Sequence, residues 1–348
     1  MKIGILTAGG DCPGLNAAIR GVGKTAIMKY GMRVIGFSSG YWGLIHQNYR
    51  ELNEDDLSGI LTMGGTILGT SREKPYKNDN YKKYQNNKPE KIIETYNELE
   101  LDAVICIGGN GTMKTAFKLS QEGLNIIGIP KTIDNDVYGT DLSFGFDSAV
   151  RIATEAIDKI HTTANSHRRI MVIEVMGHNS GWLALYSGVA AGGDIILIPE
   201  IPYNEKAVEN YLKKRMKSNK PYTIIVVAEG INIPRKKPEK KQKIQAGHYI
   251  AKRVAKITGM EARETILGYI QRGGSPTAMD RILATQFGSY AAELASLQEF
   301  GYMVALKDNK IKKIPLKDVA GKLKNVPMND KLLLRARAIG TNFGDEIS

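Results

Sequence analysis

The chain has 348 residues, of which 42% are hydrophobic and 24% charged, a composition typical of a globular protein with room for two α/β units or one large barrel. No apolar run approaches the roughly 18 residues of a membrane-spanning helix, and the apolar start MKIGIL is too short for a signal peptide. The distant Cys12 and Cys106 exclude a disulfide framework and a cysteine zinc site. We therefore expect a cytoplasmic protein without a membrane segment.

The net charge of +12 attracts polyanions, which include phosphorylated metabolites, nucleotides and nucleic acids. Much of the excess lies in the run RKKPEKKQK at 235–243, which we interpret as a solvated loop. A nucleic-acid groove interleaves basic residues with stacking aromatic rings, and the chain has no such stripe. We therefore expect no nucleic-acid partner.

Short apolar runs alternate with helical patterns along the chain, as is typical of parallel sheets covered by helices on both faces. The sequence predicts strands at 3–7, 33–37, 103–107, 126–129, 170–175, 194–198, 223–228 and 265–270. It predicts helices at 14–30, 112–122, 148–163, 181–191, 205–217, 249–258 and 279–299. In the helix at 148–163, apolar residues recur at three- and four-residue steps and form one stripe.

Glycine-rich turns follow four of these strands: TAGGD, IGGNGT, VMGHNSG and YIQRGGSP. Ligands of open parallel sheets bind beyond the carboxyl ends of the strands, so these turns predict a site. We expect an α/β fold of two Rossmann-like three-layer αβα lobes with mainly parallel sheets and an active site in the cleft between them. The larger lobe is predicted at 1–145, completed by about 271–322, and the smaller at 146–270, completed by about 323–348.

Two of the glycine turns have the form of phosphate-binding loops. Gly9 and Gly10 precede one predicted helix, and residues 108–112 open another, so backbone N–H groups and the helix dipole can attract an anion. Either turn also fits a plain tight βα connection. Two named motifs are excluded, because Ala18 replaces the Walker A glycine and Lys114 replaces the last glycine of GxGxxG.

The segment PKTIDND at 130–136 follows an apolar strand and places Asp134 and Asp136 beside Thr132 and Lys131. Phosphoryl transfer to an alcohol needs a carboxylate to accept the hydroxyl proton, cations to neutralise phosphate charge, and backbone donors to position the phosphate chain. This segment and the two glycine loops contain each of these groups. The alternative is an Asx-rich turn that ends a strand.

Basic residues able to hold a second phosphate are Arg169, Arg263 and Arg272, each near a predicted strand end, because a guanidinium bonds phosphate with two N–H groups. Among the histidines, His178 lies inside a glycine turn and is a site candidate. His161 and His167 are a poor metal pair, and we interpret them as polar surface groups.

Several strings of this chain match one known family in order: TAGGDCPGLNAAIRG, GGTILGTSR, IGGNGT, PKTIDND, IEVMGHNSGWLAL, ILIPE, AEG and LGYIQRGGSPTAMDR. With these strings, which run from residue 4 to about residue 290, the sequence resembles 6-phosphofructokinase. The resemblance implies transfer of a phosphoryl group, with Mg²⁺, to the 1-hydroxyl of fructose 6-phosphate in glycolysis. It also implies a homotetramer, or at least a homodimer.

The resemblance also implies roles for individual residues. Asp134 matches the general base, with Thr132, Asp136 and His178 also catalytic, and Mg²⁺ is implied at Asp136 through water and more weakly at Asn110. The residues implied at the phosphoryl donor are Gly10, Arg72, Gly109, Asn110, Gly111, Thr112 and Lys131. Those implied at the sugar phosphate are Thr132, Asp134, Met176, Gly177, His178, Glu229, Tyr269 and Arg272, joined by Arg169 and Arg263 from an adjacent subunit.

Some positions depart from the familiar ATP-dependent pattern. Asn110 and His178 stand where aspartate and arginine are familiar, and both changes weaken charge stabilisation. Lys131 resembles the pyrophosphate-dependent branch, whereas Gly111 resembles the ATP-dependent branch and leaves room for the α-phosphate. ATP is the favoured donor and pyrophosphate the alternative.

A catalytically impaired sugar-phosphate-binding subunit is a further alternative, motivated by Asn110 and His178. Lipid and NAD kinases share a GGDGT-like loop but lack the PKTIDND and YIQRGG turns, which argues against them. In the bacterial regulatory site of the family, Arg20 is retained, but Lys24 and His161 replace expected arginines. The resemblance implies an allosteric enzyme whose familiar feedback site is altered.

Overall fold

The computed structural model describes residues 1–76, 87–218, 220, 222–234 and 245–345. The basic run at 235–243, interpreted from the sequence as a solvated loop, lies outside these residues. Within the described chain, no helix combines the length and apolarity that crossing a membrane requires.

The described strands, in chain order, are β1 (Lys2–Thr7), β2 (Arg33–Phe37), β3 (Tyr49–Leu52), β4 (Ala103–Gly108), β5 (Ile126–Pro130), β6 (Ile170–Val175), β7 (Ile195–Leu197), β8 (Thr223–Ala228), β9 (Ala262–Ile266), β10 (Tyr302–Lys307) and β11 (Lys310–Pro315). The described α-helices are α1 (Leu15–Lys24), α2 (Tyr41–Ile45), α3 (Lys88–Glu98), α4 (Asn110–Gln121), α5 (Phe146–His167), α6 (Trp182–Ala190), α7 (Glu205–Lys217), α8 (Ala246–Thr258), α9 (Ala278–Ser296), α10 (Leu316–Val319) and α11 (Lys331–Ala338).

The chain forms two compact units, each built from two segments. The first unit contains Met1–Ser148 and Arg272–Lys324, and the second contains Ala149–Gln271 and Asn325–Ser348. Each unit has its own sheet, and helices join the parallel strands of each. The expected α/β class, with mainly parallel sheets in two lobes, is confirmed.

In the first unit the described strands form one sheet in the order β11-β10-β5-β4-β1-β2-β3. The five central strands are parallel, and β3 and β11 are antiparallel at the two edges. Strands β1, β4 and β5 are almost entirely apolar and buried, as expected of strands covered on both faces. One face packs on α2, α3, α4 and α10, and α9 packs on β5 and against α1.

Close packing of α1 against α9 depends on glycine. A methyl group on Gly288 would lie 2.4 Å from the carbonyl oxygen of Ala18, and one on Gly21 would lie 2.8 Å from that of Thr285. The two helices can therefore approach backbone to backbone only because neither position has a side chain. This contact with α9 holds α1, which begins directly after the first glycine loop.

In the second unit the described strands form a parallel sheet in the order β7-β8-β6-β9. Strands β6 and β8 are mostly buried and apolar apart from Glu174 and Thr223, while β9 is short and only partly buried. Helix α8 packs on β6 and β9, and α6 packs on β7 and β8.

The structure corrects two of the predicted elements. The strand predicted at 265–270 ends at Ile266, and a 3₁₀-helix over Gly268–Arg272 follows it, because Gly268 adopts a positive φ of 52° that breaks the strand. The helix predicted at 14–30 ends as an α-helix at Lys24 and continues as a π-helical turn over Thr25–Lys29.

Candidate active site

The turns after β5, β4 and β1 meet at one edge of the first sheet, because these three strands are parallel neighbours. Backbone hydrogen bonds continue past the strand ends: Ala8 N donates to Ile107 O at 3.0 Å, and Lys131 N donates to Gly108 O at 2.9 Å. The first glycine loop, the second glycine loop and the PKTIDND turn therefore lie side by side.

Lys131 ties the PKTIDND turn to the first glycine loop. Its Nζ donates to Ala8 O at 3.0 Å and also to Gly10 O, and the side chain is 2% exposed. Burial lowers the pKa of this ammonium, while the facing Cys12 raises it. The Lys131 charge therefore stabilises the loop carbonyl oxygens, a use that its place in the sequence does not reveal.

Two further segments of the first unit contact the same loop. Gly9 N donates to Ser71 O at 2.9 Å, which brings the exposed Arg72 beside the loop. Arg272 donates from its guanidinium to Asp11 O at 3.0 Å. A methyl group on Gly10 would lie 2.6 Å from that guanidinium, so Gly10 has to lack a side chain for Arg272 to pack there.

The second glycine loop opens α4, with Gly109 as the cap and Asn110 as the first helical residue. A side chain at Gly108 would collide with Thr112, whose Oγ1 would lie 2.2 Å from its Cβ, so this turn requires glycine. At Gly111 an added Cβ would meet nothing within 4 Å. The start of α4 therefore presents backbone N–H groups and the positive end of the helix dipole next to open space.

The carboxylate turn is buried and has a fixed backbone. Asp134 is 8% exposed and its backbone N donates to Thr132 Oγ1 at 3.0 Å. Asn135 has a positive φ of 50°, a conformation that asparagine tolerates better than most residues. Its Oδ1 accepts from Ser143 N at 3.1 Å, and Ser143 Oγ donates to Thr132 O at 3.0 Å. These bonds hold the segment between the two carboxylates.

Asn110 joins the second glycine loop to the carboxylate turn. Its Nδ2 donates to Asp136 O at 3.2 Å, while its Oδ1 is buried and accepts no hydrogen bond from the described residues. A magnesium ion binds through one or two protein oxygens and completes its shell with water and phosphate oxygens. The amide oxygen of Asn110 and the adjacent Asp136 fit such an ion. The described residues contain no cluster of three histidine, cysteine or acidic side chains placed to hold a metal.

Sequence reasoning missed Lys324, which also contacts the carboxylate turn. Its Nζ donates to Asn135 Oδ1, Thr140 O and Asp141 O, each at 2.9 Å. Burial lowers the pKa of Lys324 to about 7, against the opposing effect of Asp141. No local motif marks this lysine, because its partners lie nearly 190 residues earlier in the chain.

The second unit places a different group of predicted residues at the carboxyl end of β6. Met176 N donates to Gln271 Oε1 at 3.3 Å, and His178 N donates to Glu229 Oε1 at 3.0 Å. Gly177 has a positive φ of 142° and the exposed His178 one of 51°. The highly exposed Tyr269 lies on the 3₁₀-helix that also carries Gln271. Gln271 was not among the site residues predicted from the sequence, whereas Met176, His178, Glu229 and Tyr269 were.

Arg169 and Arg263 lie at the other end of the second sheet. Arg169 precedes β6 and Arg263 is the second residue of β9, so both are at the amino ends of their strands. Both pair with Glu261, with 2.6 Å between Arg169 Nε and Glu261 Oε2. A strand of six residues, about 20 Å long, separates them from the turn at 176–178 of the same chain.

His161, which was interpreted from the sequence as a polar surface group, makes hydrogen bonds inside the second unit. His161 is half-buried, with Nε2 2.6 Å from Ala191 O and Nδ1 3.2 Å from Tyr222 Oη. A carbonyl oxygen only accepts, so Nε2 carries the proton and both ring nitrogens are engaged. His167 is exposed, as expected, and Arg20 and Lys24 lie on α1.

The first unit as a whole has the architecture of a protein that holds an anionic ligand at the carboxyl edge of a parallel sheet. Two glycine loops, one of them at a helix N-terminus, stand next to a buried pair of carboxylates. The sequence model described as Phosphofructokinase matches residues 2–295. The chain belongs to the phosphofructokinase family.

Individual relatives agree with this membership. An ATP-dependent 6-phosphofructokinase 3 of Bacteroides thetaiotaomicron is 56% identical over 344 residues, which cover 99% of this chain and 100% of the relative. A pyrophosphate–fructose 6-phosphate 1-phosphotransferase of Amycolatopsis methanolica is 45% identical over 94% of this chain and 96% of its own length. The phosphofructokinase of Pichia pastoris in the T-state superposes with a TM-score of 0.81 at 32% identity; the match covers 91% of this chain and 35% of the fungal one.

Proposed function

We propose that this chain is an ATP-dependent 6-phosphofructokinase, which transfers the terminal phosphoryl group of ATP to the 1-hydroxyl of fructose 6-phosphate. The name of the Bacteroides relative supports this activity. The observation that carries the proposal is the placement of Asp134 on the same sheet edge as two glycine loops. A base and a cradle for phosphate are the two parts that such a transfer needs.

In the proposed reaction the first unit holds the donor. Backbone N–H groups at Gly10 and at the start of α4, including Gly109 and Gly111, bond the phosphate oxygens, with Thr112 in the first turn of that helix. Arg72, exposed beside the first loop, adds a positive charge. Lys131 acts by fixing the loop rather than by meeting the phosphate, since its hydrogen bonds go to carbonyl oxygens.

Asp134 accepts the proton of the sugar hydroxyl as that oxygen bonds to the terminal phosphorus of ATP, while the bond from this phosphorus to the bridging oxygen breaks and ADP leaves with the bonding electrons. Thr132 fixes the backbone of Asp134 and can contact the same substrate. Because Asp134 is buried, bulk water has little access to its carboxylate and does not compete with the sugar hydroxyl as the proton donor.

Magnesium would be held by the Asn110 amide oxygen and by Asp136 through water. The ion supplies positive charge that neutralises the phosphate oxygens during transfer. Asn110 carries no charge, so it positions the ion without offsetting the positive charge as an aspartate would.

The second unit holds the sugar phosphate in this proposal, through Met176, Gly177, His178, Glu229 and Tyr269, with Arg272 of the first unit as a further contact. Arg169 and Arg263 belong to the site of an adjacent subunit, which agrees with their position at the amino ends of their strands. We therefore propose that the chain forms a homotetramer or homodimer. We also propose that it is located in the cytoplasm.

The choice of donor follows from the surroundings of two residues. The space at Gly111 admits the bulk of a nucleotide α-phosphate, whereas a larger acidic side chain would occupy it and repel the phosphate. Lys131 is the residue that favours pyrophosphate, but its ammonium is already engaged by two carbonyl oxygens. ATP is accordingly the proposed donor.

The test is a paired assay of fructose 1,6-bisphosphate formation with MgATP and with magnesium pyrophosphate. We expect turnover with ATP; turnover with pyrophosphate alone would overturn the donor assignment, and tight sugar-phosphate binding without turnover would indicate an impaired subunit. Asp134→Asn should lose nearly all kcat with little change in sugar-phosphate binding. The matched control is Asp56→Asn, which removes a carboxylate paired with Arg50 at 2.7 Å at the surface of the same unit and should keep most activity.

Sharing of the site between subunits has its own test. Arg169→Ala should lose sugar-phosphate binding, while the control Glu261→Gln breaks the same surface ion pair and keeps the cation. Mixed oligomers of Arg169→Ala and Asp134→Asn chains should recover activity that neither variant has alone. Recovery in no mixture would reject the shared site.

A further inference from the structure

Lys324 has a complete set of acceptors around its side-chain nitrogen. The three oxygens at 2.9 Å belong to the Asn135 side chain and to the backbones of Thr140 and Asp141. All three are acceptors only, so they take three N–H donors, the number that a protonated ammonium supplies. A neutral side chain of similar length cannot satisfy all three.

The backbone of the same segment is also attached to the carboxylate turn. Lys324 N donates to Asp136 O at 2.9 Å, and Leu323 bridges Val137 in antiparallel register. The lysine therefore contacts the residue between the two carboxylates through its side chain and the second carboxylate residue through its backbone. It is also the last residue of the first unit, directly before Asn325 of the second.

The charged groups near this ammonium leave it close to balanced. Asp141 and Asp136 carry the neighbouring negative charges, and Lys307 pairs with Asp141 at 3.0 Å from the β10 side. The side chain thus serves as a tether and not as a site for an incoming anion, since all of its donors point at protein oxygens.

What Lys324 holds is a backbone in an uncommon conformation. Asn135 has a positive φ, and its Oδ1 is shared between Lys324 Nζ and Ser143 N. Without the ammonium, Thr140 O loses this donor, Asn135 Oδ1 keeps Ser143 N and Asp141 O keeps only Asn135 Nδ2 at 3.4 Å, so the turn can relax. The carboxylates on both sides of Asn135 would move with it.

We propose that Lys324 is a positioning residue for phosphoryl transfer: it holds the turn that aims Asp134 and Asp136, without contacting either substrate. This inference rests on the proposed function, in which Asp134 is the base. It predicts that removing the ammonium impairs the chemical step more than the binding of sugar phosphate.

The expected size of the effect follows from the geometry of proton transfer. A displacement of about 1 Å at a reacting group costs about 100-fold in rate, so kcat should fall about 10- to 100-fold in Lys324→Met. The KM for fructose 6-phosphate should stay within about threefold, because a displaced base impairs proton removal more than it impairs the ground-state contacts with the sugar phosphate. Lys324→Gln keeps two N–H donors, so its kcat should lie between that of the wild type and that of Lys324→Met.

The matched control is Lys322→Met, which removes a lysine two residues away that stacks over the exposed Tyr138 ring at 5.2 Å. It should keep kcat. An unchanged kcat in Lys324→Met, or an equal loss in Lys322→Met, would overturn the proposal.

Rescue separates positioning from a purely structural role. Lys324→Ala leaves the three oxygens facing a small gap, into which methylammonium can donate. We expect methylammonium to raise kcat at constant ionic strength, with tetramethylammonium, which has no N–H, giving no recovery. Absence of any rescue, or failure of all three Lys324 variants to fold, would show that the lysine maintains the fold and does not position the turn.

The wild-type chain distinguishes this inference from the function on which it rests. If the wild type makes no bisphosphate with either donor, the proposed function fails. If the wild type is active and Lys324→Met matches it in kcat, the proposed function stands and the positioning role is wrong.

Discussion

Asp280 joins the starts of α5 and α9 inside the first unit, and its pKa gives a quantitative test of this packing. Its Oδ2 accepts from Ser148 N at 2.8 Å and from Ser148 Oγ at 2.6 Å, while Ser148 Oγ accepts from Thr277 N at 3.0 Å. Burial raises the pKa of Asp280 from 3.8 to about 6; hydrogen bonds from Ser148 lower it, and the nearby Asp147 adds to the rise. Each helix thus receives part of its N-terminal cap from the other.

Because the folded pKa lies above the unfolded one, the ionised form of Asp280 destabilises the folded chain. Its contribution to stability is fully present below about pH 4 and is lost as the pH rises through 6. The shift corresponds to about 3 kcal/mol over the whole titration, of which about 2 kcal/mol falls between about pH 4.5 and 7.5.

The perturbation is Asp280→Asn, which keeps an acceptor for Ser148 but cannot ionise. The free energy of unfolding in urea is measured for the wild type and for Asp280→Asn at pH 4.5 and 7.5. In the difference between the two proteins at each pH, the contributions of the other titrating groups cancel. Relative to the variant, the wild type should lose about 2 kcal/mol between the two pH values. Asp280→Ala, which has no acceptor, should be less stable than Asp280→Asn at both. A difference between wild type and Asp280→Asn that does not vary with pH would refute the burial argument.

Three further substitutions test contacts around the glycine loops. Gly10→Ala should displace Arg272, whose guanidinium would lie 2.6 Å from the new methyl group, and should raise the KM for both substrates; an unchanged KM for both would contradict the contact. Lys131→Met leaves two loop carbonyls without their donor, which should raise the KM for ATP about tenfold, by the cost of one or two buried hydrogen bonds, and leave that for fructose 6-phosphate unchanged. Gly288→Ala should lower the free energy of unfolding by about 1–3 kcal/mol or more, because α1 and α9 must separate; urea unfolding measures this, and wild-type stability would show that the helices already have room.

Much of the first unit could be predicted from the sequence because its central strands are apolar and β1 and β4 lead into glycine loops. Strands β1, β4 and β5 are buried on both faces, so their runs stand out without any alternation. The PKTIDND turn follows β5 directly, so its place at the sheet edge follows from the strand. The roles of its carboxylates stay predictions until the assays above are made.

The edge strands lacked such a signal. Strand β11 reads KIKKIP and β9 reads ARETI; charged residues occupy three of six positions in β11 and two of five in β9, and neither strand has a run of buried residues. Charges on an edge strand limit its pairing with other chains. The same charges remove the hydrophobic pattern from which a strand is predicted. Their pairing with β10 and β6 depends on neighbours that are distant in sequence.

The net positive charge predicted an affinity for polyanions, and the structure shows why charge could not identify the residues that would bind one. Lys131 and Lys324, the two lysines that contact the carboxylate turn or its loop most closely, direct all of their observed hydrogen bonds at protein oxygens. In the proposed function, the attraction for phosphate in the first unit then falls to backbone N–H groups and arginines, whose donors are fixed in direction. A lysine near a phosphate site therefore has to be assigned from its acceptors, and at these two positions the acceptors argue for rigidity of the site.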